Sequence, residues 1–219
     1  MEDVSEERSL RGGKLPTRMP RFVGFWHKQG CLINLGGNYD YLELPYYLSQ
    51  DYELAGQEIF PSNKQMLDAY VPPLFLVKAR AAGIDVADHY ISNGYFEPPV
   101  IIDPINPFMI KSRIVWKAAR TDAVARSMTR NFTYAICCQD IPPGSRIVYF
   151  ASVLGHASTS EYRTSARQVW EVFRIPLARV RLIITPERKS LMSDISPLPY
   201  HKLSERQRSF IAREVTWQT

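Results

Sequence analysis

The sequence predicts an α+β domain in which mixed and antiparallel strands carry packed helices. Strand-sized runs rich in β-branched and aromatic residues recur along the chain, and helical stretches stand between them. Several of these strands are joined by Pro- or Gly-bearing turns short enough for hairpins, a pattern of α+β rather than strictly parallel architecture. A chain of 219 residues with 45% hydrophobic and 12% aromatic content suits one domain, or one domain plus a small cap, with a real core.

Residues 1–20 read as a flexible arm. Glu2, Asp3, Glu6 and Glu7 come first, then Arg8, Arg11, Gly12, Gly13, Lys14, Pro16 and Pro20, a composition that cannot offset the entropy of ordering. Structure is expected from Arg21, with short strands at 22–26 and 31–35. Gly36, Gly37 and Asn38 turn the chain into 39–54, where Leu44, Tyr47 and Leu48 are spaced for a helix and Pro45 marks its start or a kink. Ser62 and Gln65 have capping-box spacing, so a helix opens there. Pro72 and Pro73 interrupt it, and a second helix runs to Ala82 and stops at Gly83. Residues 84–92 lead to a turn at Asn93 and Gly94. Strands are expected at 100–104, 113–116, 134–141 and 146–154, with a short helix at 121–130 and a firm turn at Pro142-Pro-Gly144. Residues 160–173 form a helix with Val169, Trp170 and Phe173 on one face. Strands at 180–184 and 191–195 follow, joined through Pro186-Glu-Arg188, and a last helix opens at Ser204 with Gln207 completing a second capping box.

The net charge of +5 is unevenly spread. Residues 31–62 hold Asp40, Glu43, Asp51, Glu53 and Glu58 and no lysine or arginine; 111–130 hold Lys111, Arg113, Lys117, Arg120, Arg126 and Arg130 against Asp122 alone. Such a basic face attracts nucleic acid, nucleotide phosphates or an acidic partner, or simply solvates the protein. Aromatic and basic residues do not interleave here as an RNA-binding sheet requires. Tyr39, Tyr41, Tyr46, Tyr47 and Tyr52 fall in the acidic segment and suit either an interface or half-buried packing. The adjacent Cys137 and Cys138 and the solitary Cys31 have neither zinc nor disulfide spacing, so packing is their expected role. The four histidines also lack metal spacing. No P-loop or dinucleotide fingerprint occurs. With no apolar run of membrane length and a polar, acidic start, no membrane association is expected and the cytoplasm is the expected location.

Several stretches carry a resemblance when taken in order. They are Cys-Leu-Ile-Asn-Leu at 31–35, Gly-Gln-Glu-Ile-Phe-Pro-Ser at 56–62, Ala-Arg-Ala-Ala-Gly-Ile-Asp-Val at 79–86 and Tyr-Ile-Ser-Asn at 90–93. They continue with Pro-Val-Ile-Ile-Asp-Pro at 99–104, Ile-Cys-Cys-Gln-Asp-Ile-Pro-Pro-Gly at 136–144, Ala-Arg-Val-Arg-Leu-Ile-Ile at 178–184 and Met-Ser-Asp-Ile-Ser-Pro-Leu-Pro at 192–199. This order resembles the ATP-grasp superfamily, in particular its ribosomal-protein glutamate ligase and glutathione synthetase branch. The resemblance implies an ATP-grasp-like domain of mixed and antiparallel sheets at 63–219, preceded by a truncated pre-ATP-grasp α/β segment at 21–62. It also implies ATP and magnesium as cofactors if the site functions.

On this resemblance Gln139, Asp140 and Ile141 form the hinge over the adenine, and Asp194 is the one remaining magnesium ligand. The other positions depart from the pattern. Asp103 falls where the first phosphate-binding lysine belongs, and Arg181 where the first magnesium acid belongs. Ser196 replaces the metal-binding asparagine, and Arg146 lies two residues from the position of a phosphate-contacting arginine. The stretch 106–113 replaces a glycine-rich loop and has no glycine to bring backbone amides onto phosphate, leaving Lys111 and Arg113 as substitute point charges. Asp103 and Arg181 would neutralise each other if their side chains met.

The expected function is that of an ATP-grasp-fold protein related to ATP-dependent carboxylate–amine ligases, weakened or inactive, acting through nucleotide or protein binding. No catalytic residue is assigned. A protein partner is expected, and the substrate class implied is a small-molecule or peptide carboxylate. Two alternatives stay open: an active ligase with a phosphate site rearranged around Lys111, Arg113 and Asp194, and a basic protein that binds nucleic acid or ribonucleoprotein through 111–130 and the arm.

Overall fold

A computed structural model describes residues 22–106 and 111–218, with the side chain of Arg120 left aside. The expected arm at 1–20 and positions 107–110 of the expected loop replacement lie outside the described residues. Along the chain run β1 (Val23–Trp26), β2 (Cys31–Asn34), α1 (Leu44–Leu54), β3 (Ile59–Phe60), α2 (Asn63–Tyr70) and α3 (Pro72–Ala81). Next come β4 (His89–Ser92), β5 (Val100–Pro104), β6 (Arg113–Val115), α4 (Thr121–Thr129), β7 (Ile136–Asp140) and β8 (Arg146–Val153). The chain finishes with α5 (Arg163–Gln168), β9 (Leu177–Ile184), β10 (Ser190–Pro197), α6 (Glu205–Glu214) and β11 (Val215–Trp217).

Local chemistry accounts for the helix ends. Both expected capping boxes form: Gln65 N–H donates to Ser62 Oγ at 3.3 Å while Ser62 N–H donates to Gln65 Oε1 at 2.8 Å, and Ser204 and Gln207 repeat the exchange. Prolines stand in the first turns of α1 and α3, where no amide is needed. The expected helix at 160–173 is composite. A 3-10 turn (Ser160–Tyr162) leads into α5, and a π-helical turn (Val169–Phe173) ends it at the left-handed Arg174. That last turn buries Val169, Trp170 and Phe173 together.

The strands form three sheets. The first has the order β11-β1-β2-β3 and is antiparallel except where β2 and β3 run parallel. The second, β4-β7-β5-β6, and the third, β10-β9-β8, are antiparallel. Because β11 pairs with β1, the first and last described strands meet in the first sheet. Gly37 ties this sheet to β10. Its carbonyl accepts from Leu198 N–H at 2.8 Å, its φ is +75°, and a Cβ placed on it would lie 2.1 Å from the Leu198 carbonyl oxygen.

The core follows these layers. The third sheet packs against α2, α3 and the 160–173 helix through Met66, Phe75, Leu76, Val169, Phe173 and Val180. The first sheet reaches the third through Trp26, Ile33, Leu35, Leu154, Trp170 and Ile211. The second sheet buries Val100, Ile102, Val115 and Cys138 under Ala125 and Met128 of α4. Cys137 and Cys138 are fully buried, and burial pushes the Cys138 thiol up to about 12, so both sit in the sheet as packed, protonated groups.

Candidate functional site

The second and third sheets face each other, and the polar centre of the molecule lies between them. In β5, Ile101 and Asp103 share a face because strand side chains alternate. Gln139 of β7 pairs with Ile101 and so joins that face. Across from them, Arg181 lies in β9 between Tyr149 of β8 and Asp194 of β10. The β9–β10 register skips Ser193, a bulge that presents an extra hydroxyl and carbonyl at this point. Ala87, Ile101, Ile141, Ile183 and Leu191 close the apolar floor.

Asp103 and Arg181 meet. Arg181 Nη2 lies 2.7 Å from Asp103 Oδ2, and both side chains are 2% exposed. Gln139 Nε2 donates to the same carboxylate oxygen at 2.6 Å and to the Ser193 carbonyl at 3.0 Å. Ser112 Oγ donates to Asp103 Oδ1 and accepts from Arg181 Nη1 at 3.0 Å. Arg181 Nε donates to Ser193 Oγ at 2.8 Å, and that hydroxyl donates to Gln139 Oε1 at 2.9 Å. The result is a closed cycle that joins β5, β7 and the start of β6 to β9 and β10. Every polar group in it has a partner, the condition under which buried charge is tolerated.

Two carboxylates act on one guanidinium here. Burial disfavours charge on Arg181, but Asp103 and Asp194 outweigh it and hold the group firmly protonated. Asp194 is half-buried; burial pushes its carboxyl up to about 6, with Arg181 drawing it down and Asp103 raising it.

The other sequence-derived site residues are dispersed. Asp140 is exposed at the end of β7 and pairs in register with Val100, so it stands about 10 Å along β5 from Asp103. Desolvation and the nearby Asp88 and Glu97 raise its pKa. Its backbone N–H donates to the Asp88 carbonyl at 2.9 Å, and that of Ile141 donates to the Pro99 carbonyl at 3.1 Å, so both hinge amides are already engaged. Ile141 itself is buried. Lys111 and Arg113 are exposed at the outer strand of the second sheet. Arg146 pairs with Glu161 at 3.3 Å on the surface, and Ser196 donates to the Arg179 carbonyl at 3.2 Å. Sequence reasoning missed Ser112 and Ser193, which supply the two hydroxyls of the cycle.

Two cavities among the described residues lie away from this cycle. One of about 230 Å³ is lined by Gly83, Asp85, Glu161, Gln168 and Met192. The other, of about 310 Å³, is lined by Arg113, Ile114, Trp116, Lys117 and Val124. Asp103, Gln139, Arg181 and Asp194 line neither. Among the described residues, no three histidine, cysteine or carboxylate side chains gather as a metal-binding group. The donor set around Asp194 therefore does not fit a magnesium site, since its neighbouring carboxylate, Asp103, is committed to Arg181.

Solved structures with similar folds are ATP-grasp proteins. The chain is similar to a RimK domain protein ATP-grasp from Sphaerobacter thermophilus DSM 20745, with a TM-score of 0.57 and 12% identity, over 82% of this chain and 75% of that one. It is similar to the D-alanine-D-alanine ligase from Helicobacter pylori, with a TM-score of 0.56 and 14% identity, over 78% and 67% of the two chains. It is also similar to the D-alanine-D-alanine ligase from Coxiella burnetii, with a TM-score of 0.51 and 12% identity, over 76% of this chain and 58% of that one. The chain thus spans less than two thirds of the length of that last ligase. At these identities the likeness is one of fold. No curated protein sequence matches. The family model for the RimK-like ATP-grasp N-terminal domain matches residues 24–214, so the chain belongs to that family.

Proposed function

We propose that this domain is an ATP-grasp scaffold that does not ligate, and that it works through protein contacts. The observation that carries the reading is the buried Asp103–Arg181 pair, which with Gln139 and Ser193 bridges the second and third sheets. On the family resemblance ATP and magnesium would bind between these sheets. There Asp103 would oppose phosphate and Arg181 would repel a metal ion. The engaged amides of Asp140 and Ile141 support the same reading, because an adenine would have to displace internal hydrogen bonds. Membership of a family described as an N-terminal domain fits a unit that accompanies a ligase rather than performing ligation. The remnant pre-ATP-grasp segment at 21–62 and the ATP-grasp-like portion at 63–219 are the two parts of this scaffold.

Calorimetry with Mg-ATP tests the reading. Titration is expected to give no saturable heat at micromolar concentrations, with or without magnesium. Magnesium-dependent micromolar binding would overturn it and restore the active-ligase alternative built on Lys111, Arg113 and Asp194.

A further inference from the structure

The second sheet ends in an open edge whose chemistry is unusual. β6 pairs with β5 on one side, and among the described residues no strand lies on its other side. Beyond that ladder, and outside the 3-10 turn that starts at Lys117, no backbone hydrogen bond of residues 113–116 to another described residue is found. Val115 turns inward under α4, while Ile114 and Trp116, on the opposite face, are 38% and 55% exposed. A shallow cavity of about 310 Å³ runs along this edge. Arg113 and Lys117 line it and are exposed, as is Lys111 two residues before β6, and none of the three forms an ion pair or side-chain hydrogen bond among the described residues.

From this edge we infer that β6 is a docking site for an extended, acidic peptide segment of a protein partner, which adds to the second sheet as a fifth strand. Strand addition would satisfy the free backbone groups, the unmet demand of any exposed edge. Alternation along the added strand would set carboxylates beside Arg113 and Lys117 and branched side chains against Ile114 and Trp116. Charge complementarity selects an acidic partner. Single-stranded nucleic acid fits less well, because among the described residues lining the cavity Trp116 is the one aromatic side chain, where successive bases need a series of stacking platforms. The inference rests on the reading that the domain acts through protein contacts.

Fluorescence anisotropy of the full chain with a labelled repeating Glu-Val peptide tests it. Saturable binding is expected, weakened about tenfold by the paired exposed substitutions R113E and K117E. W116S is expected to weaken binding several-fold, and a peptide with proline at the valine positions is expected not to bind. Amide hydrogen exchange should show new protection at 113–117 when the Glu-Val peptide is bound. Equal binding of the proline peptide, indifference to R113E/K117E, or tighter binding of an oligouridylate would each overturn the inference. A silent peptide titration would remove this site alone, whereas Mg-ATP binding would remove the non-ligating reading and leave the peptide result standing.

Discussion

Arg181→Met isolates the contribution of the central ion pair. The Arg181 side chain is 2% exposed, and its guanidinium donates to Asp103, Ser112 and Ser193. Methionine fills much of the same volume and removes all of those donors. Asp103 then keeps Gln139 and Ser112 as partners but loses its only ion pair among the described residues, and Asp194 loses the larger of the two arginine charges that draw its pKa down. Breaking one side of a buried pair costs about 3–5 kcal/mol. The reciprocal change, Asp103→Leu, should cost less, because Asp194 still faces the guanidinium. Replacing both members removes the orphaned charge, so the double variant should be less destabilised than the two single losses predict, by at least about 2 kcal/mol. Urea unfolding of the four proteins, followed by tryptophan fluorescence and far-ultraviolet circular dichroism, gives the complete cycle. Losses that add within about 0.5 kcal/mol, or an Arg181→Met cost below about 1 kcal/mol, would refute the account of the cycle as a coupled unit.

Two further outcomes follow from the same geometry. The folded carboxyl of Asp194 titrates near 6, above its ordinary range, so folding favours its protonated form. Its stabilising effect is complete below the unfolded value near 4 and is lost as pH rises through 6. The urea midpoint of the wild type should therefore rise between pH 7 and pH 5 relative to D194N, and identical slopes for the two proteins would contradict this. Gly37→Ala places a Cβ against the Leu198 carbonyl at a left-handed φ of +75°. It should cost at least about 2 kcal/mol in the same assay, and a neutral result would mean that the link from Gly37 to Leu198 yields without penalty.

The parts of the fold legible in the sequence are those set by neighbours in the chain. Ser62 with Gln65 and Ser204 with Gln207 mark helix starts because both partners of each cap lie within one turn. β3 and β11 were not legible. Ile59 and Phe60 are too few to show alternation, and Val215–Trp217 follows α6 without a turn signal, so only pairing with distant strands defines them. The site was legible in part for the same reason. Asp103 and Arg181 stand out as charges in apolar strands, yet their separation of 78 positions in sequence conceals their contact. Gln139 lies in the run Ile136–Asp140, and its pairing with Ile101 decides that its amide turns between the sheets. Ser193 is least visible, because a bulge needs both strands before one residue can be counted as extra.

On the proposed reading, the opposite charges at Asp103 and Arg181 have a physical logic that a simple loss of charge would lack. In a cleft that holds a triphosphate and a metal ion, a lysine and an acid are neutralised by the ligand. If binding is lost and those residues stay, each becomes a buried charge whose counter-ion is missing, and the cleft must open to water or distort. Neutral replacements at both positions would relieve that strain but leave the Ser112 hydroxyl without its two partners and take one partner each from Gln139 and Ser193. Asp103 and Arg181 instead supply one anion and one cation that satisfy each other and those three groups at once. Both sheets then close on an ion pair supplied by the protein itself. On the proposed reading, a nucleotide site could not form here through one substitution, because reversing the sign of either Asp103 or Arg181 alone would set like charges together in a buried space.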